Sequence, residues 1–173
     1  MQKAIWVFGS IAGILSALLE HLYFKSDSFN HMTMTLSKMA VLVVSVVFGL
    51  ILVKKLLGGV VSIARTLLSG VLISLIRAAV MIGAFIFLYF PNGEFYAPKL
   101  QASYEMAASK VEADQDIKPA DKETELETIK EQITFQFKPL GYSGLALASS
   151  LITGLIVSVL VAAFIAKNMM YEE

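Results

Sequence analysis

The stretch VLISLIRAAVMIG, Val71 to Gly83, places one arginine, Arg77, in an otherwise apolar run. A guanidinium stays charged at any physiological pH, so Arg77 needs a partner or water wherever it sits. One acid also lies within an apolar run: Glu20, in SALLEHLYF, with the titratable His21 beside it. Ionisable groups inside a membrane segment point by default to a transport or proton path.

Little else in the chain is equipped for chemistry. His31 stands in a connection of mixed polarity, and His21 near a span end is read as a solvated anchor. Leu57–Gly59 (LGG) has no Lys-Ser/Thr after it and is a turn, not a phosphate loop. With Cys 0, disulfides, thiolate metal sites and a Cys nucleophile are excluded. No metal-ligand spacing and no nucleophile elbow occurs. The expectation is therefore a non-enzymatic protein with no cofactor and no metal. A membrane enzyme acting on lipid-linked substrates would need clustered polar groups at an interface, and none is apparent.

The elements that position Arg77 and Glu20 follow from hydropathy. The 173 residues are 57% hydrophobic and 16% charged, against about 45–50% and about 25% in soluble domains. Net charge is +0, which gives no basic field for nucleic acid. Of the 14 acidic residues, ten fall between Glu94 and Glu131, so charge is segregated from the apolar remainder. Four runs reach the length of about 20 residues that a bilayer requires: 4–24, 36–53, 67–90 and 142–166. They are apolar all round, unlike the one-sided helices of a soluble core. The first is longer than a signal-peptide core and no small-x-small cleavage site follows it, so it is read as an uncleaved span. The expected fold is all-α: a single membrane domain over 1–173, built as a four-transmembrane-helix bundle.

Orientation follows the lysines and arginines near the span ends. With the N-terminus inside, the inner side carries Lys3, Lys54, Lys55, Arg65 and Lys167, while the first outer connection carries Lys25 and Lys38. Both termini are expected in the cytoplasm of a bacterial inner (cytoplasmic) membrane protein. Tyr23, Phe24, Tyr89, Phe90 and Tyr142 fall at one interface and Trp6 at the other.

Between lipid-solvated helices, small residues four apart permit close approach. Gly9 and Gly13 continue to Ala17 in the first span. Ser45 and Gly49 lie in the second, and Gly70, Ser74 and Ala78 in the third. Ser150, Gly154, Ser158, Ala162 and Ala166 line one face of the fourth. We read this seam as packing within one bundle; dimerisation is the other reading. The partners expected are the lipid bilayer and a membrane-protein partner or a homo-oligomer.

Residues 91–139 have soluble composition and divide at DIKPAD. Tyr96, Leu100, Tyr104, Ala108 and Val111 share one helical face; Leu126, Ile129, Ile133 and Phe137 share another. Pro119 and Asp121 mark the start of the second helix. The expectation is an extramembrane amphipathic helical hairpin between helices 3 and 4, either a docking surface or a plain connector.

Arg77 lies near mid-membrane, where insertion costs about 2.5–3.5 kcal/mol. The same run contains fourteen Leu, Ile, Val and Phe residues, which outweigh it. Glu20 sits about 9 Å nearer the outer end. Because helical side chains lean towards their own N-terminus, the guanidinium is expected to turn inward, away from Glu20. Two arrangements stay open: a Glu20–Arg77 pair through tilt or water, and an Arg77 bonded to Ser and backbone groups or snorkelling inward.

Three stretches carry a family resemblance: FGSIAGILSAL in the first span, LGGVVSIARTLLSGVLISLI leading into the third, and FKPLGYSGLALASSLITGLIVSVLVAAFIAKN at the end. The chain resembles the domain-of-unknown-function 4199 family of small bacterial integral-membrane proteins, over nearly its whole length. The resemblance implies four helices and an extramembrane helical insert, with no catalytic residues to carry over. It also implies a setting near membrane glycosyltransferases, hence envelope-glycan assembly. The expected role is an accessory or scaffold subunit of a membrane complex, and the alternative is a small transporter or channel using Glu20 and Arg77.

Overall fold

Local signals set the helix ends. The Asn30 side chain accepts the Thr33 N–H at 2.7 Å, an N-cap that starts α2 at His31, well before the apolar run that opens at Leu36. Lys38, already within the expected span 36–53, thus lies well inside α2. At the other end of α2, Gly58 and Gly59 take φ of 77° and 91°, a left-handed stop that glycine adopts without steric penalty. Ser62 Oγ then accepts the Arg65 N–H at 3.4 Å and begins α3. Pro139 opens the last helix, where its missing N–H costs nothing. That helix thus begins before Tyr142, and takes in a residue expected in the insert.

The structure is a computed structural model that describes residues 1–26 and 30–165. Its helices are α1 (Gln2–Lys25), α2 (His31–Leu56), α3 (Ile63–Ala84), α4 (Ala97–Ala113), α5 (Lys122–Gln136) and α6 (Pro139–Ile165). α3 continues through one wide π turn, Phe85–Tyr89, in which the Phe90 N–H reaches the Phe85 carbonyl at 2.8 Å. A short 3-10 turn, Gly93–Phe95, leads into α4. No strand occurs among the described residues.

Four helices are long and apolar enough to cross a membrane: α1, α2, α3 with its π extension, and α6. They form a bundle in which α1 lies beside α2 and α3, α6 lies beside α3 and α2, and α2 and α3 touch across the middle. Leu42, Val46, Leu50, Val53 and Ile73 make its apolar centre.

The polarity of this bundle is the reverse of a soluble one. Ser16, Thr66, Ser69, Ser74, Ser150 and Ser158 are buried, while Trp6, Ile14, Leu18, Phe48, Ile152, Leu160 and Phe164 face outward. Soluble proteins keep serines out and large apolar side chains in. A surface of this kind suits lipid, which solvates it better than water does.

Small residues let the helices approach. A Cβ on Gly9 would stand 2.6 Å from the Cβ of Ile76, and one on Gly13 would stand 2.5 Å from that of Val80, so α1 and α3 run parallel in near contact. Across the antiparallel α3–α6 pair, Gly70 meets Ser158 and Gly154 meets Ser74. The row Ser150, Gly154, Ser158, Ala162 is buried inside the bundle. Ala166 and Lys167 lie outside the described residues.

α4 and α5 pack on each other at the end of the bundle where α3 finishes and α6 begins. Tyr104 Oη and Thr134 Oγ1 share a hydrogen bond of 2.6 Å, and the Tyr96 and Phe137 rings stack at 5.7 Å. Asp121 is the residue before α5, and Glu123 and Glu125 occupy its first turn, where acids favour the helix dipole. Lys99, on α4, is buried: its Nζ donates to the Ser26 carbonyl at 2.8 Å and lies 5.0 Å from the Tyr23 ring centre.

Candidate functional site

The buried charges of the four long helices collect in two layers at the half of the bundle nearer α4 and α5, and each layer joins all four. Arg77 of α3 is 4% exposed and is the hub of the first. Its Nε donates to Ser16 Oγ of α1 at 3.0 Å. Nη1 donates to Ser150 Oγ of α6 at 2.7 Å, and Nη2 to the Lys38 carbonyl of α2 at 3.3 Å. One side chain thus bonds to a group on each of the other three spans. The planar, rigid fork of arginine suits this, because its donors are spread over three nitrogens; a lysine would have to make all three bonds from one.

Glu20 of α1 is the hub of the second layer. One carboxylate oxygen accepts from Lys38 Nζ of α2 at 3.2 Å; the other accepts from the Tyr142 hydroxyl of α6. The Tyr142 ring stacks on Phe85 of α3, 3.9 Å between centres and 8° from parallel. Lys38 links the layers, since its carbonyl serves Arg77 and its ammonium serves Glu20. Ser16 and Glu20 are four apart and share one face of α1.

The register follows from the same contacts. Arg77 meets Ser150 and Phe85 meets Tyr142, eight residues apart on each helix and in opposite order. This antiparallel alignment continues through Ser74–Gly154 and Gly70–Ser158. The small-residue row of α6 and the two polar layers are therefore parts of one interface. The Ser74 and Ser158 hydroxyls close onto the carbonyls of Gly70 and Gly154, so neither is left unbonded in lipid.

The structure does not join Glu20 to Arg77 by a direct bond, and the lean of Arg77 departs from expectation. Arg77 lies between Ile76 and Val80, whose partners on α1 are Gly9 and Gly13. Ser16 stands nearly a turn beyond Gly13, so the guanidinium runs forward along its own helix, away from its N-terminus. The default lean is overridden because hydroxyls and a carbonyl lie forward, and an unbonded guanidinium in lipid costs several kcal/mol. Glu20 is held instead by Lys38, which stands at the start of the expected span 36–53 and is also counted among the cations of the first outer connection. The Asn30 cap, three residues before Thr33, starts the helix well ahead of Lys38 and so fixes Lys38 inside α2 rather than at its ragged edge. Tyr142 is expected as an interface anchor, and no local pattern marks it as a partner of Glu20.

Around these layers is an aromatic shell. Phe24, Phe85 and Tyr89 are buried together, with Tyr23, Phe95, Tyr96 and Phe137 against them. Phe24 and Tyr89 thus pack inside and do not stand free as interface anchors. The Tyr89 hydroxyl donates to the Ala17 carbonyl at 3.2 Å. His21 packs near the Phe95 ring at 5.1 Å between centres, and His31 meets the edge of Tyr23 at 6.2 Å. Among the described residues, no group of three His, Cys, Asp or Glu could hold a metal ion, and no buried side-chain nitrogen or oxygen lacks a hydrogen-bond partner. Chemically, the arrangement holds three ionisable side chains in place through hydroxyls, a carbonyl and each other.

A bundle of four apolar helices tied by internal polar bonds defines a helical integral-membrane protein. The chain belongs to the family described as "Protein of unknown function (DUF4199)", whose profile matches residues 7–167. No curated protein and no solved structure matches it.

Proposed function

We propose that the chain is a multi-pass protein of the bacterial inner membrane that serves as a non-enzymatic accessory or scaffold subunit of a membrane complex, in the setting of envelope-glycan assembly. Both termini face the cytoplasm, and α4 and α5 form an amphipathic hairpin outside the bilayer. The observation that carries the scaffold reading is saturation of the buried polar layers. Arg77 bonds to α1, α2 and α6, and Glu20 is held by Lys38 and Tyr142. Groups engaged in this way clamp helices together; a transport site needs groups free to exchange partners. The hairpin placement is supported by ten acids in 94–131, which ionised would not enter lipid. The sidedness is supported by Lys3, Lys54, Lys55 and Arg65 at the opposite end of the bundle.

A second reading, a small transporter or channel, draws on one observation: Lys38, Glu20 and Tyr142 form a bonded run of ionisable groups, with Arg77 attached to it through the Lys38 backbone carbonyl. Reconstitution decides between the two. Proteoliposomes of the wild-type chain should leak protons and monovalent ions no faster than empty vesicles. A flux that Arg77→Met abolishes would refute the scaffold reading in favour of transport. Photo-cross-linking from exposed positions of α5 in native membranes should give one discrete, stoichiometric adduct, whereas a free monomer throughout would count against a scaffold. Because the chain has no cysteine, Glu123→Cys and Lys55→Cys report sidedness cleanly. An impermeant maleimide should label the first in intact spheroplasts and the second only after permeabilisation; the reverse pattern inverts the orientation.

A further inference from the structure

Beside the end of α3, a groove of about 460 Å³ is lined by Phe90, Tyr96, Leu100, Phe137, Lys138 and Leu140, among others. It lies where α3, α4, α5 and α6 meet, and its volume falls in the range of small-molecule sites. The walls are apolar and aromatic. Tyr96 and Phe137 stack at 5.7 Å. The hydroxyl of Thr134, also in the lining, is already engaged by Tyr104 and by the Lys130 carbonyl.

Two observations say what fits. First, the groove is continuous with the lipid-facing belt. Leu140, which opens α6, is 76% exposed, and Phe87 and Leu88, just before Phe90 on the same helix, are 79% and 64% exposed. Second, the lining carries a single charge. Lys138 is exposed and makes no ion pair with any described residue. An occupant must be long and apolar, reach the groove sideways from lipid, and bring an anion to the interface. A peptide would also need main-chain hydrogen-bonding partners, which these walls do not offer.

The geometry points to this groove as a binding site for an anionic glycerophospholipid of the surrounding leaflet, with acyl chain against Tyr96 and Phe137 and phosphate on the Lys138 ammonium. A lipid seated there touches α3, α4, α5 and α6 at once, and so fastens the acidic segment to the bundle. The inference rests on the membrane reading of the four long helices.

Brominated-lipid quenching tests it on the full chain. The reporter is Phe90→Trp in a Trp6→Phe background; the wild-type chain, with Trp6 at the opposite end of the bundle, is the control. Both are reconstituted in phosphatidylcholine vesicles containing the same fraction of brominated phosphatidylglycerol or brominated phosphatidylcholine. One lysine near the interface favours an anionic lipid about fivefold, so phosphatidylglycerol should quench the reporter at about one-fifth the mole fraction that phosphatidylcholine requires. Trp6, one turn from Lys3, reports the opposite end, and whatever preference it shows should be unchanged by Lys138→Glu. Lys138→Glu should abolish the preference, Lys138→Arg should keep it, and inorganic phosphate should not displace it. Equal quenching by both lipids, or a preference that survives Lys138→Glu, overturns the proposal. So does a cross-link from Leu140 to a second copy or to another protein in place of lipid. If Trp6 itself escapes quenching by either lipid, the membrane reading fails instead. Unchanged circular dichroism of each variant guards against misfolding.

Discussion

Glu20→Leu tests the second polar layer at its centre. In the folded bundle the carboxylate accepts from Lys38 at 3.2 Å and from Tyr142. Leucine has a similar reach but removes both acceptors. The Lys38 side chain, 19% exposed against 7% for Glu20, would keep its charge without a counter-ion. Breaking a buried pair by removing one partner costs about 3–5 kcal/mol, and the partial exposure of Lys38 favours the lower end. Loss of the acceptor for the Tyr142 hydroxyl adds about 1–3 kcal/mol. Some of this is recovered as Lys38 swings towards headgroups, so the expected loss is about 3–5 kcal/mol. At about 1.4 kcal/mol per tenfold change, the unfolding constant should rise more than a hundredfold. The assay is reversible unfolding in mild detergent, by steric trapping or titration with a denaturing detergent. The pair is then tested as a cycle. Lys38→Met alone should also destabilise, since it strands a buried carboxylate. The double variant should be more stable than the Glu20→Leu single by about 2 kcal/mol, because charge is removed from both sides. The Arg77 bond to the backbone carbonyl of Lys38 survives all three. A Glu20→Leu loss under about 1 kcal/mol, or a double variant no better than the single, would show that the layer does not hold the bundle.

Further outcomes follow from the same geometry. Arg77→Met should change stability by less than about 1 kcal/mol, because it removes a charge whose hydroxyl partners can turn to their own helix carbonyls; Arg77→Ala, which leaves a void, should cost about 2–5 kcal/mol in the same assay. Tyr142→Phe keeps the stack on Phe85 and loses one hydrogen bond, so unfolding titration should show a loss of about 1–2 kcal/mol, whereas Phe85→Ala should lose about 3–5 kcal/mol. Gly154→Val drives a side chain into Ser74 and should cost about 1–3 kcal/mol or more, with Ser74→Gly restoring part of it. Gly144→Ala, where an added Cβ meets nothing within 4 Å, should leave folding unchanged or gain about 0.5–1 kcal/mol.

Much of this architecture is written in local composition. Twenty apolar residues in a row can satisfy their backbone in lipid only as a helix, so the four spans were visible without any tertiary information. The small residues of α6 at four-residue spacing lie on one face by helix geometry alone, and that face is the one turned inward. Pro139 and Asn30 moved the helix ends by a few residues, because capping is a matter of one or two side chains and competes with hydropathy at the boundary.

The pairing of the charges was different in kind. Arg77 and Glu20 stood out because an ion in an apolar run is rare, yet their partners could not be read from the chain. Ser16 lies 61 residues from Arg77 and Ser150 lies 73, and Tyr142 lies 122 from Glu20. No local pattern encodes such distances. They depend on helix register, which is set by the close approach of α1 to α3 at Gly9 and Gly13 and of α3 to α6 at Gly70 and Gly154. The sequence alone determined that ions would be buried in lipid and that each would need a bond, since desolvation is a property of the group. Which groups supply those bonds was decided only when four helices were brought together, because a hydrogen bond acts over about 3 Å and only packing sets positions that finely.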